Sequence, residues 1–331
     1  MNFRDFIASL DIVPPPTITA GEWQRCSTLA HPRKKNASIK LMEGDQIGFV
    51  QDFSTMAEPC VWRANGESKA IPLSQDEIKS RIAAKRRELI AATQSAREFY
   101  ETCKPLKSGH PYLVGKGLDM TGCVGLKIDH RENLVVPMRF NGSLISVQRI
   151  TKDGTKLFWS GATTNGTSYV IDRKGATITL VCEGLATGLT LFGCISNCRV
   201  IVAFNAGNLP RAVVHHSIHG LCVVCADNDS DTEKRIGKNP GIEGAEKAAA
   251  LIKCGIAVPH CDKGSDFDDL RQELLAHERQ KNLFRSWKAT DSQMLTTVQA
   301  EIKSLIIPRL KFVVGENSEF SNQIKNARPA A

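Results

Sequence analysis

The rhythm of hydrophobic and polar positions changes three times along the chain. Up to about residue 70 apolar residues come in short alternating runs, and IKLMEGDQIGFVQDFS reads as two strands joined through the hairpin pair Gly44-Asp45. From Ser74 to Cys103 the spacing is helical, in DEIKSRIAAKRRELIAATQSAREFYETC. Ser74 with Glu77 has the form of a capping box at its start, and Lys85, Arg86 and Arg87 make its middle strongly basic. That basic stretch leaves two readings open, a solvated helix face or a nucleic-acid contact. Between residues 110 and 175 short strands return as LVVPMRF, SLISVQRI and KLFWSG, separated by the turn pairs Asn-Gly and Asp-Gly. From Thr177 strand-like runs near 177–182, 199–204, 221–226 and 256–260 alternate with helical stretches near 185–195, 208–218 and 241–253. Strand and helix taking turns predicts an α/β fold, a parallel sheet with helices on both faces. The polar run from Asp231 to Gly241 is expected to be mobile. Beyond residue 270 the pattern is mostly helical and ends in the polar stretch SEFSNQIKNARPAA.

Composition narrows the class without naming a function. The 331 residues suffice for about two domains, and 42% hydrophobic with 24% charged residues is the balance of an ordinary soluble protein. No apolar run reaches the ~18 residues of a membrane span. The eleven cysteines accompany a start, MNFRDFIASLDIVPPP, without the pattern of a secretion signal. Cys182, Cys222 and Cys225 lie inside apolar strands, so reduced, buried thiols in a cytoplasmic protein are expected. A net charge of +8 favours a polyanionic partner only modestly, and a basic protein with no such partner fits equally well. With 6% aromatic residues, extensive base-stacking surfaces are not evident.

The chemistry is carried by acids placed just past strands. Glu183 follows TITLVC, and Asp227 and Asp229 follow LCVVCA. In a parallel sheet such positions fall at the carboxyl edge, where open α/β folds place their ligands. Two like charges ~5 Å apart at an effective dielectric of ~20 repel by about 3 kcal/mol. A divalent cation removes that cost, and hard oxygen ligands suit magnesium. Taken singly, Glu183 reads as well as a helix N-terminal acid, and the aspartates as turn or capping residues. Their joint occurrence within one βαβ pattern is what singles them out.

In this order the motifs resemble the Toprim domain shared by bacterial primases, topoisomerases and some nucleases. The segments HPYLVGKGL and NLVVPMRFNGSLISVQRITKDGTKLFWSGATTNGTSYVI resemble the region before Toprim in bacterial primase cores, and EGLATGLTL and AGNL resemble the plasmid-transfer and phage branch. The resemblance implies a small β domain at 1–72, a helical linker at 73–104, a β-rich core subdomain at 105–175, a Toprim domain at 176–270 and a helical segment with tail at 271–331. It adds a late acidic motif, GSDFDDL, whose Asp266 and Asp268 would assist Glu183, Asp227 and Asp229 in holding magnesium, with manganese as the alternative ion. Thr187 stands where replicative primases often have an aspartate, which removes one metal contact; the mobile-element branch commonly has Thr there. Cys26, His31 and Cys60 lack a C-x-x-C pair, so no zinc is expected.

The implied activity is synthesis of short RNA primers on single-stranded DNA from ribonucleoside triphosphates by metal-dependent nucleotidyl transfer. Such chemistry needs positioning and relief of negative charge. Arg149, Lys152 and Lys156 are the candidates for holding template and triphosphate, with Arg131 as a weaker one, and Arg33, Lys34 and Lys35 as a phosphate-gripping cluster. Each of these alone also reads as an ordinary surface charge. No GxxxxGK[ST] loop is present, so a helicase or replication protein would be a separate partner. The same acids would serve a metal-dependent nuclease, and the chain could also be a non-catalytic single-strand-binding accessory protein.

Overall fold

The computed structural model describes residues 1–56, 58–64, 75–218 and 220–313. The capping box at Ser74 and the polar tail lie outside the described residues. The chain divides into two units, Met1–Ile78 with Ser230–Asn239, and Lys79–Asp229 with Pro240–Ala331.

In the first unit, α1 (Phe3–Ser9) starts at Asn2, whose side chain accepts the Asp5 N–H. It is followed by β1 (Gln24–Cys26), β2 (Ala37–Leu41), β3 (Ile47–Asp52) and β4 (Cys60–Arg63), an antiparallel meander in that order. Gly44 and Asp45 both take left-handed φ values, 90° and 53°, at the β2–β3 turn. Phe3 and Ile7 of α1 bury one sheet face with Ile39, Val50 and Trp62. Gly48 lets Phe3 lie against the strand, since a Cβ there would be 2.2 Å from the ring.

The second unit opens with α2 (Gln75–Thr102), β5 (Lys104–Pro105) and α3 (Pro111–Gly115). Next come β6 (Lys127–Ile128), β7 (Leu134–Phe140), β8 (Ser143–Ile150) and β9 (Lys156–Phe158), which with β5 make a five-stranded antiparallel sheet in chain order. The β7–β8 turn is the expected Asn-Gly, with Asn141 at φ 46° and Gly142 at φ 80°.

The α/β layer follows: β10 (Tyr169–Ile171), β11 (Ile178–Cys182), α4 (Leu185–Cys194), β12 (Cys198–Val202), α5 (Leu209–Val214), β13 (Gly220–Cys225), then, after α6 (Ser230–Ile236) of the first unit, α7 (Pro240–Ile252), β14 (Gly255–Ala257), α8 (Phe267–Phe284), α9 (Asp291–Ile306) and β15 (Lys311–Val313). The sheet order is β10-β12-β11-β13-β14, with β11 to β14 parallel and β10 antiparallel at the edge. Successive residues are buried and enter the two cores alternately, as a sheet covered on both faces requires. Leu180, Val200 and Val223 point into one core with Leu185, Leu191, Phe267 and Val298. Val181, Ile201 and Val224 point into the other with Leu209, Ala245, Ala248 and Ile252.

Three features differ from the sequence reading. β10, expected with the preceding β region, is an edge strand of this sheet. β15 returns antiparallel to the first half of β13, where the reading expected only helix. The Asp231–Gly241 run, expected to be mobile, contains α6, with Asp231 and Glu233 in its first turn and Lys234 and Arg235 in its last, the charge order that suits a helix dipole.

Asn208, in AGNL, is the buried tie between the loop before β10 and the end of β12. Its amide donates to Thr167 O and Ala203 O, both at 2.8 Å, and accepts the Gly166 N–H at 2.7 Å.

Candidate active site

Local structure sets each acid at the same sheet edge. Glu183 leaves β11 directly, and Gly184 is the N-cap residue of α4. The Glu183 carbonyl accepts the Phe204 N–H at 2.7 Å, which joins the ends of β11 and β12. Phe204 pays for this join with a left-handed φ of 72°, rare for an aromatic residue. Asp227 and Asp229 follow β13. Between them, Asn228 donates its N–H to Ser265 O at 2.6 Å and its amide to Pro259 O at 3.2 Å. The Asp-x-Asp loop is thus laced to the loop carrying Asp266. Asp229 Oδ2 accepts the Gly241 N–H at 3.1 Å, at the start of α7. Asp266 is the N-cap of α8, its Oδ1 accepting the N–H groups of Asp268 and Asp269 at 2.7 and 2.9 Å.

The carboxylates feel one another. Burial, then the charge of Asp229, pushes Glu183 up to about 7, against the opposing pull of the Ala206 N–H and Lys156. Burial, then the charges of Glu183, Asp266 and Asp229, holds Asp227 well above the carboxylate range. Burial and the neighbouring Asp269 raise Asp266. Glu183 Oε1 and Asp227 Oδ1 are buried with no hydrogen-bond partner. Orphaned acceptor oxygens are rare in folded proteins because leaving one unpaired costs about 1–3 kcal/mol. Two in one acidic cluster, all of hard oxygen chemistry, fit a divalent cation such as magnesium.

The late motif divides. Carboxylate oxygens of Asp266, Asp268 and Asp269 come within 4.8 Å of one another, a group that does not include Glu183, Asp227 or Asp229. Asp268, however, is fully buried and fully engaged. Its Oδ1 accepts from Thr190 Oγ1 at 2.8 Å and Arg271 Nη2 at 2.7 Å; its Oδ2 accepts from Lys116 Nζ at 2.6 Å and Gln272 Nε2 at 2.8 Å. Burial alone would raise its pKa, but Lys116 and Arg271 outweigh it and hold the group ionised. Asp268, expected to assist in holding a metal, is thus also held by Lys116, Arg271, Thr190 and Gln272. Removing a ligand from that network would leave buried charge uncompensated, and the residue anchors α8 behind Asp266. Thr187 is also buried, its hydroxyl without a partner.

The basic candidates separate by strand parity. Lys156 and Arg149 lie opposite Ile150 and Leu157 respectively, so they occupy opposite faces of the β8–β9 ladder. Lys156 faces the acids: its Nζ lies 3.7 Å from where a Cβ on Gly184 would stand, and its charge lowers both Glu183 and Asp227. Arg149 stacks over Phe99 and Trp159, 5.8 and 5.5 Å from the ring centres. Lys152 pairs with Glu132 on the exposed turns, and Arg131 is exposed beside it. Arg33, Lys34 and Lys35 are exposed on the β1–β2 turn of the first unit. Sequence reasoning assigned no site role to Lys116, Arg271 or the Ala206 N–H, although Lys116 and Ala206 stand in HPYLVGKGL and AGNL; only Arg271 lies outside every quoted motif.

Gly241 gives this geometry a test. A Cβ at this position would sit 2.3 Å from the Asp227 carbonyl oxygen. Gly241→Ala is expected to displace the Asp-x-Asp loop, costing about 1–3 kcal/mol in urea denaturation and weakening magnesium binding by calorimetry. An unchanged variant would show that α7 does not brace Asp227.

Comparison with known proteins gives a domain match and a set of relatives. Residues 178–276 match the Toprim domain family. The chain is 26% identical over 274 residues to a DNA primase TraC of Escherichia coli, an alignment covering 76% of this chain and 25% of that protein. A second Escherichia coli DNA primase TraC is 27% identical over 157 residues, 45% of this chain and 11% of the relative. The chain thus spans about a quarter or less of the length of these relatives. Among solved structures, the primase fragment of the bacteriophage T7 primase-helicase protein gives a TM-score of 0.38 at 17% identity, covering 56% of this chain and 79% of that one. The DnaG primase catalytic domain bound to ssDNA gives 0.34 at 13%, covering 74% and 100%. The chain carries a Toprim domain and is similar to DNA primases of the TraC type.

Proposed function

We propose that this chain synthesises short RNA primers on single-stranded DNA by metal-dependent nucleotidyl transfer, in the replication or transfer of a plasmid or phage. The observation that carries the reading is the pair of orphaned oxygens, Glu183 Oε1 and Asp227 Oδ1, in a centre shared with Asp229 and Asp266. Glu183, Asp227, Asp229 and Asp266 would hold magnesium, or manganese in its place. When bound, such an ion neutralises the triphosphate and lowers the pKa of the primer-end hydroxyl.

The chain's own groups do the positioning. Lys156 is directed at the acids from β9 and supplies the fixed positive charge an entering triphosphate needs. Lys152 and Arg131, on neighbouring exposed turns, would meet template phosphates; the exposed Lys152–Glu132 pair is weakly held and yields to a polyanion. Arg149, stacked on aromatic rings, supports the ridge from behind. Similarity to TraC-type DNA primases supports this reading over a nuclease. A helicase or other replication protein would be a separate partner.

The test is direct. Full-length protein with magnesium, ribonucleotides and mixed-sequence single strands is expected to yield short oligoribonucleotides. No product across several templates and both metals would sink the proposal, and cleavage of DNA without nucleotides would replace it with the nuclease.

A further inference from the structure

The far end of α8 leaves three large apolar side chains in water. Leu283 is 72% exposed, Phe284 84% and Trp287 62%. Two of them stand in the last turn of α8 and the third in the connection to α9. Together they present on the order of 400 Å² of apolar surface, a size that marks interaction sites. The corner that carries them is fixed by hydrogen bonds. Asn282 donates its amide to Ala289 O at 2.9 Å and accepts the Ala289 N–H at 2.7 Å. Lys288 Nζ closes the end of α8, donating to Asn282 O and Leu283 O at 3.0 and 2.8 Å. α9 then starts in a capping box made by Thr290 and Gln293. The three side chains are thus held outward by an ordered turn.

The charge around them has one sign. Residues 279–290 include Arg279, Lys281, Arg285 and Lys288 and no acid. Glu278, just before, is buried and accepts from both Lys281 and Arg285, at 3.0 and 2.8 Å. Asp291, just after, opens α9. An apolar tip ringed by cations matches an occupant that is anionic at its surface and apolar beneath. Nucleic acid matches it poorly, because bases stack on open ring faces. Leu283 and Arg279 offer no ring, and the Arg285 guanidinium already lies 5.7 Å over Trp287. An acidic peptide is anchored in a groove. Neither large cleft of the second unit, about 500 and 470 Å³, is lined by these residues. A bilayer surface, in contrast, takes side chains that protrude. It buries Leu and Phe at the acyl boundary, seats Trp among the headgroups and sets Lys and Arg against phosphates. We propose that the tip of α8 is a peripheral docking site for an anionic lipid bilayer, with Leu283, Phe284 and Trp287 inserted and Arg279, Lys281, Arg285 and Lys288 on the headgroups. No helix among the described residues is long and apolar enough to cross a membrane, and a surface contact requires none. The tip stands roughly 25 Å along α8 from Asp266, so the acid centre takes no part in it.

The experiment floats the full chain, in EDTA and without nucleotides, with vesicles of phosphatidylcholine and phosphatidylglycerol or of phosphatidylcholine alone. Anionic vesicles are expected to bind it at least ~10-fold more tightly than neutral ones. Tryptophan emission is expected to shift to shorter wavelength on binding, and Trp287→Phe to bind without that shift. Leu283→Ser/Phe284→Ser/Trp287→Ser is expected to bind anionic vesicles at least ~10-fold more weakly. Its melting point should be unchanged, since these side chains are exposed. Leu283→Ile/Phe284→Leu keeps the apolar surface and is expected to bind as the unaltered chain does. Arg279→Gln is expected to weaken binding about 5-fold, the effect of one cation near an anionic surface. Absence of flotation, equal flotation of the triple variant, or an emission shift retained by Trp287→Phe would each overturn the proposal. An equal loss by the triple variant of binding to soluble poly-glutamate, or to a single strand of about 12 nucleotides, would overturn it by assigning the tip to an acidic peptide or to nucleic acid. Since no polymerisation is measured, a failed primer assay leaves this result standing, and a failed flotation leaves the acid centre untouched.

Discussion

Asp227→Asn is expected to lower primer synthesis by on the order of 10²–10³-fold while making the metal-free protein more stable. The two effects have one cause. Asp227 carries a carboxylate into a buried position already crowded by Glu183, Asp266 and Asp229, and one of its oxygens has no partner. A neutral amide of the same shape removes both the desolvated charge and the repulsion. The gain should be about 0.5–2 kcal/mol, read as a rise of a few degrees in the melting point in EDTA. Magnesium, which should raise the melting point of the unaltered chain through preferential binding to the folded state, should do so far less for the variant. A variant that melts lower in EDTA, or that keeps its primer yield, would mean that Asp227 is an ordinary structural residue.

The second large effect is a pH dependence with an unusual sign. Glu183 titrates near 4.5 in an unfolded chain and at about 7 in the folded one, raised by burial and by Asp229. Between these values the folded protein holds a proton that the unfolded chain has released. Raising the pH therefore removes stability, and the loss is complete above about 7. Its size is on the order of 3 kcal/mol. Asp227 and Asp266 shift in the same direction. Asp52, Asp129 and Asp268 are depressed instead, so their stabilisation is lost only at more acid pH. His216 opposes the trend: burial holds it neutral down to about 4, so stability from this group rises as pH climbs to 6.5. The informative quantity is thus the difference between the unaltered chain and Glu183→Gln. In EDTA, urea midpoints are expected to favour the variant increasingly from about pH 5 to about pH 7.5, and magnesium should erase that advantage. A difference that is flat with pH would show that Glu183 is not held protonated by its neighbours.

Strand and helix limits from residue 177 onward were readable because burial on both sheet faces forces apolar runs, and the intervening helices carry their own period. The Asn141-Gly142 hairpin was readable because its backbone conformation admits few residues. The position of Glu183 and of the Asp227–Asp229 pair at one sheet edge was readable from their joint occurrence just past successive strands, since singly each reads as well as a capping or turn residue. The β15 strand, three residues long, carried no such signal. Nor did the contact of Trp23 with Phe49 in the first unit, residues far apart in the chain that meet only through strand pairing.

The sequence by itself determined the alternation of elements and the sheet edge at which the acids stand. Both follow from local periodicity and from what one residue requires of its immediate neighbours. Only the tertiary structure decided between residues of identical type. Asp266 and Asp268 are two positions apart, yet the first joins Glu183 and Asp227, while the second is claimed by Lys116, which is 152 residues away along the chain. Lys156 meets the acids and Arg149 does not, because which face of a ladder turns toward a neighbouring sheet is settled by packing. Coulomb and hydrogen-bond energies depend on distance in space, and that distance is set by the whole fold.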